Sequence, residues 1–189
     1  MPTIVKTEIV REGWGRWMTL TLRLADGTEI TRQLEDHGGA VSVLPYDPDR
    51  RVAMLVKQVR TGPLFVDPDN AVLLEAPAGL IDSGEDAAEA ARREAMEETG
   101  VRLTELEPLG AAYSAPGSTT ERITLFLAPY TAADRIEAGG GLATEHEDIE
   151  VLELPLAPLL AQALTGGLSD MKTLALVLAL KAKRPELFA

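Results

Sequence analysis

Residues 79–101 read GLIDSGEDAAEAARREAMEETGV. From Asp86 to Glu98 there is no glycine, proline or β-branched residue, so every side chain in that interval tolerates a helical backbone. Ser83 and Asp86 have the spacing of a capping box, and Gly100 stands where a helix commonly turns left-handed and ends. These signals predict a helix over 86–98. On a wheel of about 100° per residue, Ala87, Ala91, Glu94 and Glu98 fall within about 60° of one another, and Glu97 lies roughly 60° to one side of Glu94. A stripe of small residues expected to pack inward thus runs into two carboxylates, while Glu89, Arg92 and Met96 point the other way.

No Lys or Arg shares that inward face, so keeping Glu94 and Glu98 ionised at the edge of a core would be costly without a cation. Oxygen ligands at i and i+4, with a third at i+3, suit hard divalent ions such as Mg2+ or Mn2+. Composition alone allows the blander reading of a solvated acidic face, which is what most Glu-rich helices are. The spacing around the helix separates the two. Gly79, five residues, Glu85, seven residues, then Arg93-Glu94-Ala95-Met96-Glu97-Glu98-Thr99-Gly100-Val101 resembles the Nudix box, the signature of hydrolases of nucleoside diphosphates linked to another moiety. All seven specified Gly, Glu and Arg positions over 23 residues are met. Only Ala95 departs, at a place where a bulkier aliphatic is common, and it does not touch the chemistry. The resemblance implies Glu94 and Glu98 as principal metal ligands and Glu97 as a helper to a metal or its water. Arg93, one turn before Glu97, is placed to orient that carboxylate. It further implies the carbonyl of Ala78 as a ligand, Glu85 as a brace for the loop, and Mg2+ as the cofactor, with Mn2+ as a substitute.

Resemblance to the branch containing ADP-ribose pyrophosphatases and GDP-mannose hydrolases extends from about residue 37 to 180. Gln58-Val59-Arg60 resembles a strand-end motif whose arginine contacts substrate phosphates, and a guanidinium fork matches diphosphate oxygens; the alternative is a solvated strand-end arginine. Ser114-Ala115-Pro116-Gly117-Ser118-Thr119-Thr120-Glu121 resembles the proline-bearing loop that goes with nucleoside diphosphate sugars, with Glu121 as a substrate or metal contact. Gly139-Gly140-Gly141 and the following Glu145-His146-Glu147-Asp148-Ile149-Glu150 resemble a mobile acidic loop whose glycines permit closure. There Glu147 matches a late metal ligand and Glu145 a base for the attacking water. His37 is either an ordinary turn histidine or a substrate contact reaching across from a neighbouring subunit.

Elsewhere the chain alternates like strand. Met18, Leu20, Leu22 and Leu24 share a face, Asp26-Gly27 is a turn signal, and a second strand is expected at 28–34, making a hairpin. Strands are also expected at 40–45, 51–60, 106–113, 122–128 and 149–154, and helices at 156–164 and from Ser169 to just before Pro185. The expected architecture is an α/β/α sandwich of Nudix type with a mixed sheet, residues 37–189, preceded by an amino-terminal antiparallel β-hairpin, residues 1–36. Trp14, Trp17 and the 18–24 face carry more apolar surface than a lone hairpin buries. Together with the resemblance, they suggest a homodimer joined through that segment.

The 189 residues, 46% hydrophobic and 25% charged, suit one globular domain with a small addition. A net charge of −12 argues against nucleic acid or anionic membrane as partner, since both need Lys and Arg to neutralise phosphate. Without cysteine there is no disulfide, thiolate or Cys-based zinc chemistry, and two histidines make no histidine cage. The amino terminus has no apolar core of signal-peptide length, and the longest apolar run, 174–180, is far too short to span a bilayer. A cytoplasmic protein is expected. Two rival functions remain: a noncatalytic Nudix-fold sensor, which should have lost box carboxylates, and a hydrolase of nucleoside triphosphates or dinucleoside polyphosphates, against which the Pro116 loop speaks. The favoured expectation is hydrolysis of a nucleoside diphosphate sugar, ADP-ribose or GDP-mannose, to a nucleoside monophosphate and a sugar phosphate.

Overall fold

The Asp26-Gly27 turn forms as its residues suggest. Gly27 takes φ = 85° and donates its N–H to the Leu24 carbonyl at 3.1 Å, while Asp26 accepts the Thr28 N–H at 2.9 Å. The computed structural model describes residues 1–142, 144 and 148–189. In it the hairpin strands β2 (Arg16–Arg23) and β3 (Glu29–Asp36) are joined by a further strand, β1 (Thr3–Glu12), in a three-stranded antiparallel sheet. β1 leaves no alternation to read. Its register slips between Ile4 and Lys6 and again between Ile9 and Arg11, and all ten residues are exposed, so no face is selected to be apolar.

The second sheet centres on β4 (Ala40–Asp47), whose eight residues are all buried. That pattern means both faces are covered. Its neighbours are β5 (Val52–Val59), β6 (Val72–Glu75), β7 (Ala78–Leu80), β8 (Glu107–Tyr113), β9 (Arg122–Pro129) and β10 (Glu150–Pro155), in the order β10-β5-β4-β9-β8, with β6 on β5 and β7 on β4. The β4–β9 pair is parallel and the remainder antiparallel, so the sheet is mixed as expected. A short helix, α1 (Thr61–Val66), links β5 to β6. One face carries α2 (Ala87–Thr99), whose fully buried Ala90, Ala91 and Ala95 let the helix lie close against Val41, Val43, Met54 and Phe126. The other face carries α3 (Leu156–Thr165) and α4 (Met171–Lys183), which pack Leu159, Leu176 and Leu180 on Leu44, Leu55 and Leu127. This is the α/β/α sandwich.

Helix ends follow local chemistry, with one correction. The capping box of α2 is Asp86 with Glu89, not Ser83 with Asp86. Asp86 accepts the N–H groups of Ala88 and Glu89, and Glu89 returns to the Asp86 N–H at 3.0 Å. Asp86 satisfies two of the orphan donors at once, and such a cap contributes about 1 kcal/mol. Gly100 closes the helix at φ = 72°. Asp170 caps α4, and Lys181 and Lys183 occupy its last turn. Among the described residues no helix is long and apolar enough to cross a membrane.

Arg50, in the β4–β5 turn, gathers the far end of the sheet. Its Nε lies 2.6 Å from Asp47, and Nη1 and Nη2 lie 2.8 and 2.6 Å from Glu153 of β10, which also accepts the Tyr130 hydroxyl at 2.6 Å. Burial pushes the Asp47 carboxyl up, but hydrogen bonds from the Arg50 N–H and guanidinium outweigh it. Arg50 likewise holds Glu153 below its usual value. Both folded values lie below the unfolded ones, so this stabilisation is complete above about pH 4.5 and is lost as pH falls through the lowered values. Arg50→Ala should lower Tm by about 3 °C at neutral pH, roughly 1 kcal/mol for a partly solvated cluster. By calorimetry the gap between variant and wild type should close on acidification; a gap that persists unchanged to about pH 2 contradicts this account.

Candidate active site

The wall of the site is a strand held against a helix. β7 pairs Gly79 with Val41 of β4, and the turn before it is fixed by Pro77, whose carbonyl accepts both the Val43 N–H and the Ser42 hydroxyl at 3.0 Å. That places Ala78 beside the end of α2, where its N–H donates to Glu98 Oε2 at 3.2 Å. Glu98 is 2% exposed. At Gly79, a Cβ would sit 1.9 Å from Glu94 Oε1 and 2.2 Å from its Cδ. The Glu94 carboxylate therefore fills the space that any other residue's side chain would take.

Arg93 organises the acidic face. Its Nε and Nη2 grip Glu85, each at 3.0 Å, and Nη2 also meets the Leu80 carbonyl at 2.9 Å. Nη1 contacts Glu94 at 2.7 Å and Glu97 at 3.2 Å. The wheel placed no cation among these carboxylates, but the long arginine stem reaches round the helix and supplies one. Glu85 serves as the expected brace: it also accepts the Asp82 N–H, and Arg93 holds its carboxyl below the usual range. The Arg93 guanidinium is correspondingly raised, chiefly by Glu85.

Among the described residues, no three carboxylate or imidazole groups are gathered closely enough to hold a cation unaided. Glu145 and Glu147 lie outside the described residues. The donors on α2 still fit a hard divalent ion. They are all carboxylate oxygens, set by Arg93 and by the Gly79 cradle, which receives Glu94 where a side chain would exclude it.

Beside this wall opens a cleft of about 460 Å3, whose lining includes Ala78 and Gly79 together with Arg60 and Lys172. The volume suits a small organic ligand. Arg60, with 39% of its side chain exposed, forks onto the buried Glu75 at 2.6 and 2.7 Å. At the other end His37, with only 9% of its side chain exposed, lies 3.1 Å from Glu121 and stacks under Trp14, ring centres 4.6 Å apart. His37 lines this cleft where the end of β3 packs against the loop 114–121: the Glu35 N–H donates to the Ser118 carbonyl at 2.8 Å, and the Thr120 hydroxyl to Asp36 at 2.6 Å. Glu75 and Lys172 were not singled out from the sequence, and Trp14 was read there only as apolar surface for a dimer. Glu75 left one trace, a carboxylate closing the apolar run 71–74.

The glycine run, expected to allow closure, is docked on the end of α2. Gly140 and Gly141 donate to the carbonyls of Glu98 and Glu97 at 2.8 and 3.1 Å. Gly139 sits at φ = 72°, where a Cβ would fall 2.5 Å from the Glu98 carbonyl oxygen. Gly100 meets the same segment, since a Cβ there would fall 2.1 Å from the Glu137 carbonyl oxygen.

A mixed sheet between helices, an arginine-braced row of glutamates and a glycine cradle define a Nudix hydrolase, and the chain belongs to the Nudix family: the NUDIX domain profile matches residues 36–171. Among its relatives, the GDP-mannose pyrophosphatase of Citrobacter koseri is 36% identical over 179 residues, covering 93% of this chain and 92% of the relative. The GDP-mannose pyrophosphatase of Escherichia coli O1:K1 shows the same identity and coverage. In fold the chain is similar to the crystal structure of an ADP compounds hydrolase, with a TM-score of 0.76, 21% identity, and coverage of 97% of this chain and 96% of that one.

Gly79 is not among the glycines with positive φ, so alanine suits its backbone and tests the cradle alone. Gly79→Ala should displace Glu94 and cost about 100-fold in turnover, with Tm within about 3 °C of wild type. Wild-type turnover in a folded variant would show that the cradle does not set the carboxylate.

Proposed function

We propose that the chain hydrolyses the diphosphate bridge of a nucleoside diphosphate sugar, GDP-mannose or ADP-ribose, releasing a nucleoside monophosphate and a sugar phosphate. The observation that carries this reading is that the braced glutamates lie against Ala78 and Gly79, which line the same cleft as Arg60 and Lys172. The relatives' names support the same substrate class. So does the loop bearing Pro116, which brings Glu121 to the His37 end of the cleft. With a net charge of −12 the chain repels a diphosphate at long range, so binding has to come from placed cations.

Glu94 and Glu98 would hold the divalent cation, Mg2+ by preference and Mn2+ as substitute, helped by Glu97, the Ala78 carbonyl and Glu147. When bound, it supplies charge neutralisation at the diphosphate and a more acidic water. The chain's own residues do the rest. Arg60 offers N–H groups to the phosphate oxygens and fixes the diphosphate for in-line attack. Arg93 keeps Glu94 and Glu97 from splaying apart. Glu145 is the proposed base that takes the proton of the attacking water, as one P–O bond to the bridging oxygen breaks. Intact box carboxylates speak against a sensor. A panel of GDP-mannose, ADP-ribose, nucleoside triphosphates and dinucleoside polyphosphates with Mg2+, resolved by chromatography, tests the assignment; turnover confined to the last two classes overturns it.

Glu98→Gln removes a charge and almost no volume, and glutamine still accepts the Ala78 N–H. Turnover should drop by about 100-fold or more while the fold persists. Full activity at saturating Mg2+ would remove Glu98 from the metal set.

We also propose a cytoplasmic homodimer in which residues 1–36 form the joining segment and 37–189 the catalytic domain. In the single chain Met18 is buried and Leu20, Leu22 and Leu24 are half-buried, so the unsatisfied apolar surface lies mainly on Ile4, Ile9, Val10 and Trp14 of β1 and its turn. Such a sheet favours a partner. Light scattering should give twice the chain mass, and a chain beginning at Gly38 should lose both the dimer and most activity. A stable, fully active monomer from that truncation defeats the proposal.

A further inference from the structure

We infer that Glu75 is a positioning residue for substrate binding: as one buried carboxylate shared by Arg60 and Lys172, it holds both cations in place on the cleft floor. The inference rests on the functional reading above. Glu75 ends β6 and is 1% exposed. It accepts Arg60 Nε at 2.6 Å and Nη2 at 2.7 Å, and its second oxygen also meets Lys172 Nζ. Lys172 lies 2.9 Å from Asp170, which is itself fixed by the Thr173 N–H at 2.9 Å and hydroxyl at 2.5 Å. The Thr173 oxygen accepts the Ala76 N–H at 2.7 Å, so the residue after Glu75 is tied to the first turn of α4.

Two cations cannot share a floor without a counter-charge. Glu75 supplies it from beneath, and the geometry decides which N–H groups stay available. With Nε and one hydrogen of Nη2 engaged, Arg60 keeps Nη1 and the other Nη2 hydrogen for phosphate oxygens, on a guanidinium that cannot rotate. Burial pushes the Glu75 carboxyl up, but Arg60 and Lys172 outweigh burial and keep it ionised below its usual value. A neutral group of the same shape would leave the fork unaligned.

The test uses GDP, which carries the diphosphate but no sugar to release, alongside KM and kcat for GDP-mannose and ADP-ribose with Mg2+. Glu75→Gln should weaken GDP binding by calorimetry about tenfold and raise KM by a similar factor, with kcat within about threefold of wild type. Glu75→Gln combined with Arg60→Ala should lose less affinity than the product of the two single losses, because the part of Glu75's effect that runs through Arg60 is lost only once while the part through Lys172 remains. Losses that multiply in the double variant, or an unchanged KM in Glu75→Gln, overturn the inference. Should Glu75→Gln fail to fold, Glu75→Asp keeps the charge and withdraws the carboxylate by one methylene. It should show the same rise in KM, and wild-type KM there overturns the inference. A wild-type chain that binds GDP but cleaves neither sugar nucleotide sinks the functional reading instead, and leaves the GDP arm to judge Glu75.

Discussion

Several negative charges have to be kept together at one end of a helix in a chain that is already acidic. Glu94, Glu97 and Glu98 fall within five consecutive positions, and unopposed they would drive one another toward solvent. Arg93 prevents this by touching two of them while anchored on Glu85 and on the Leu80 carbonyl. The anchor matters as much as the charge. An arginine free to move would neutralise the glutamates without placing them, whereas one clamped at its far edge turns neutralisation into geometry. The strand at Ala78–Leu80, the capped turn and the close alanine packing of α2 all serve to keep that clamp and those carboxylates in register.

Three buried carboxylates show how differently the fold treats charge. Asp47 is matched by Arg50 at the far end of the sheet, Glu75 by Arg60 and Lys172 beneath the cleft, and Glu98 meets a backbone N–H at the wall of the site. Burying such groups is rarely the most stable choice available. Departures of this kind are expected where a chain gives up stability for function, and two of the three border the cleft.

Helix α2 and its acidic face were readable because propensity, capping and the positions of glycine all act within a few residues. The cap was misread by three positions because Ser83, Asp86 and Glu89 repeat the same spacing, and only tertiary position selects Asp86. β1 was hidden for a different reason: bulges break its alternation, and a strand with no buried side has no pattern to display. Glu75 and Lys172 meet across 97 residues, a pairing that no local window contains. For His37 the sequence left two readings, a turn histidine and a contact to a neighbouring subunit's substrate; its stacking with Trp14, its contact with Glu121 across 84 positions and its place in the cleft lining join parts of the chain that no local window contains.

The glycines at 79, 100 and 139 look alike in the sequence but record different histories. Gly100 is crowded by backbone atoms of the segment docked on the end of α2, and Gly139, in that segment, by backbone atoms of α2 itself, so any descendant keeping this architecture must keep them. Gly79 is crowded only by a carboxylate. A lineage that gave up hydrolysis, and with it Glu94, would be free to place a side chain at 79 while losing nothing of the fold. Among diverging relatives, then, the first two glycines trace the inheritance of a shape, and the third traces whether the reaction was still under selection.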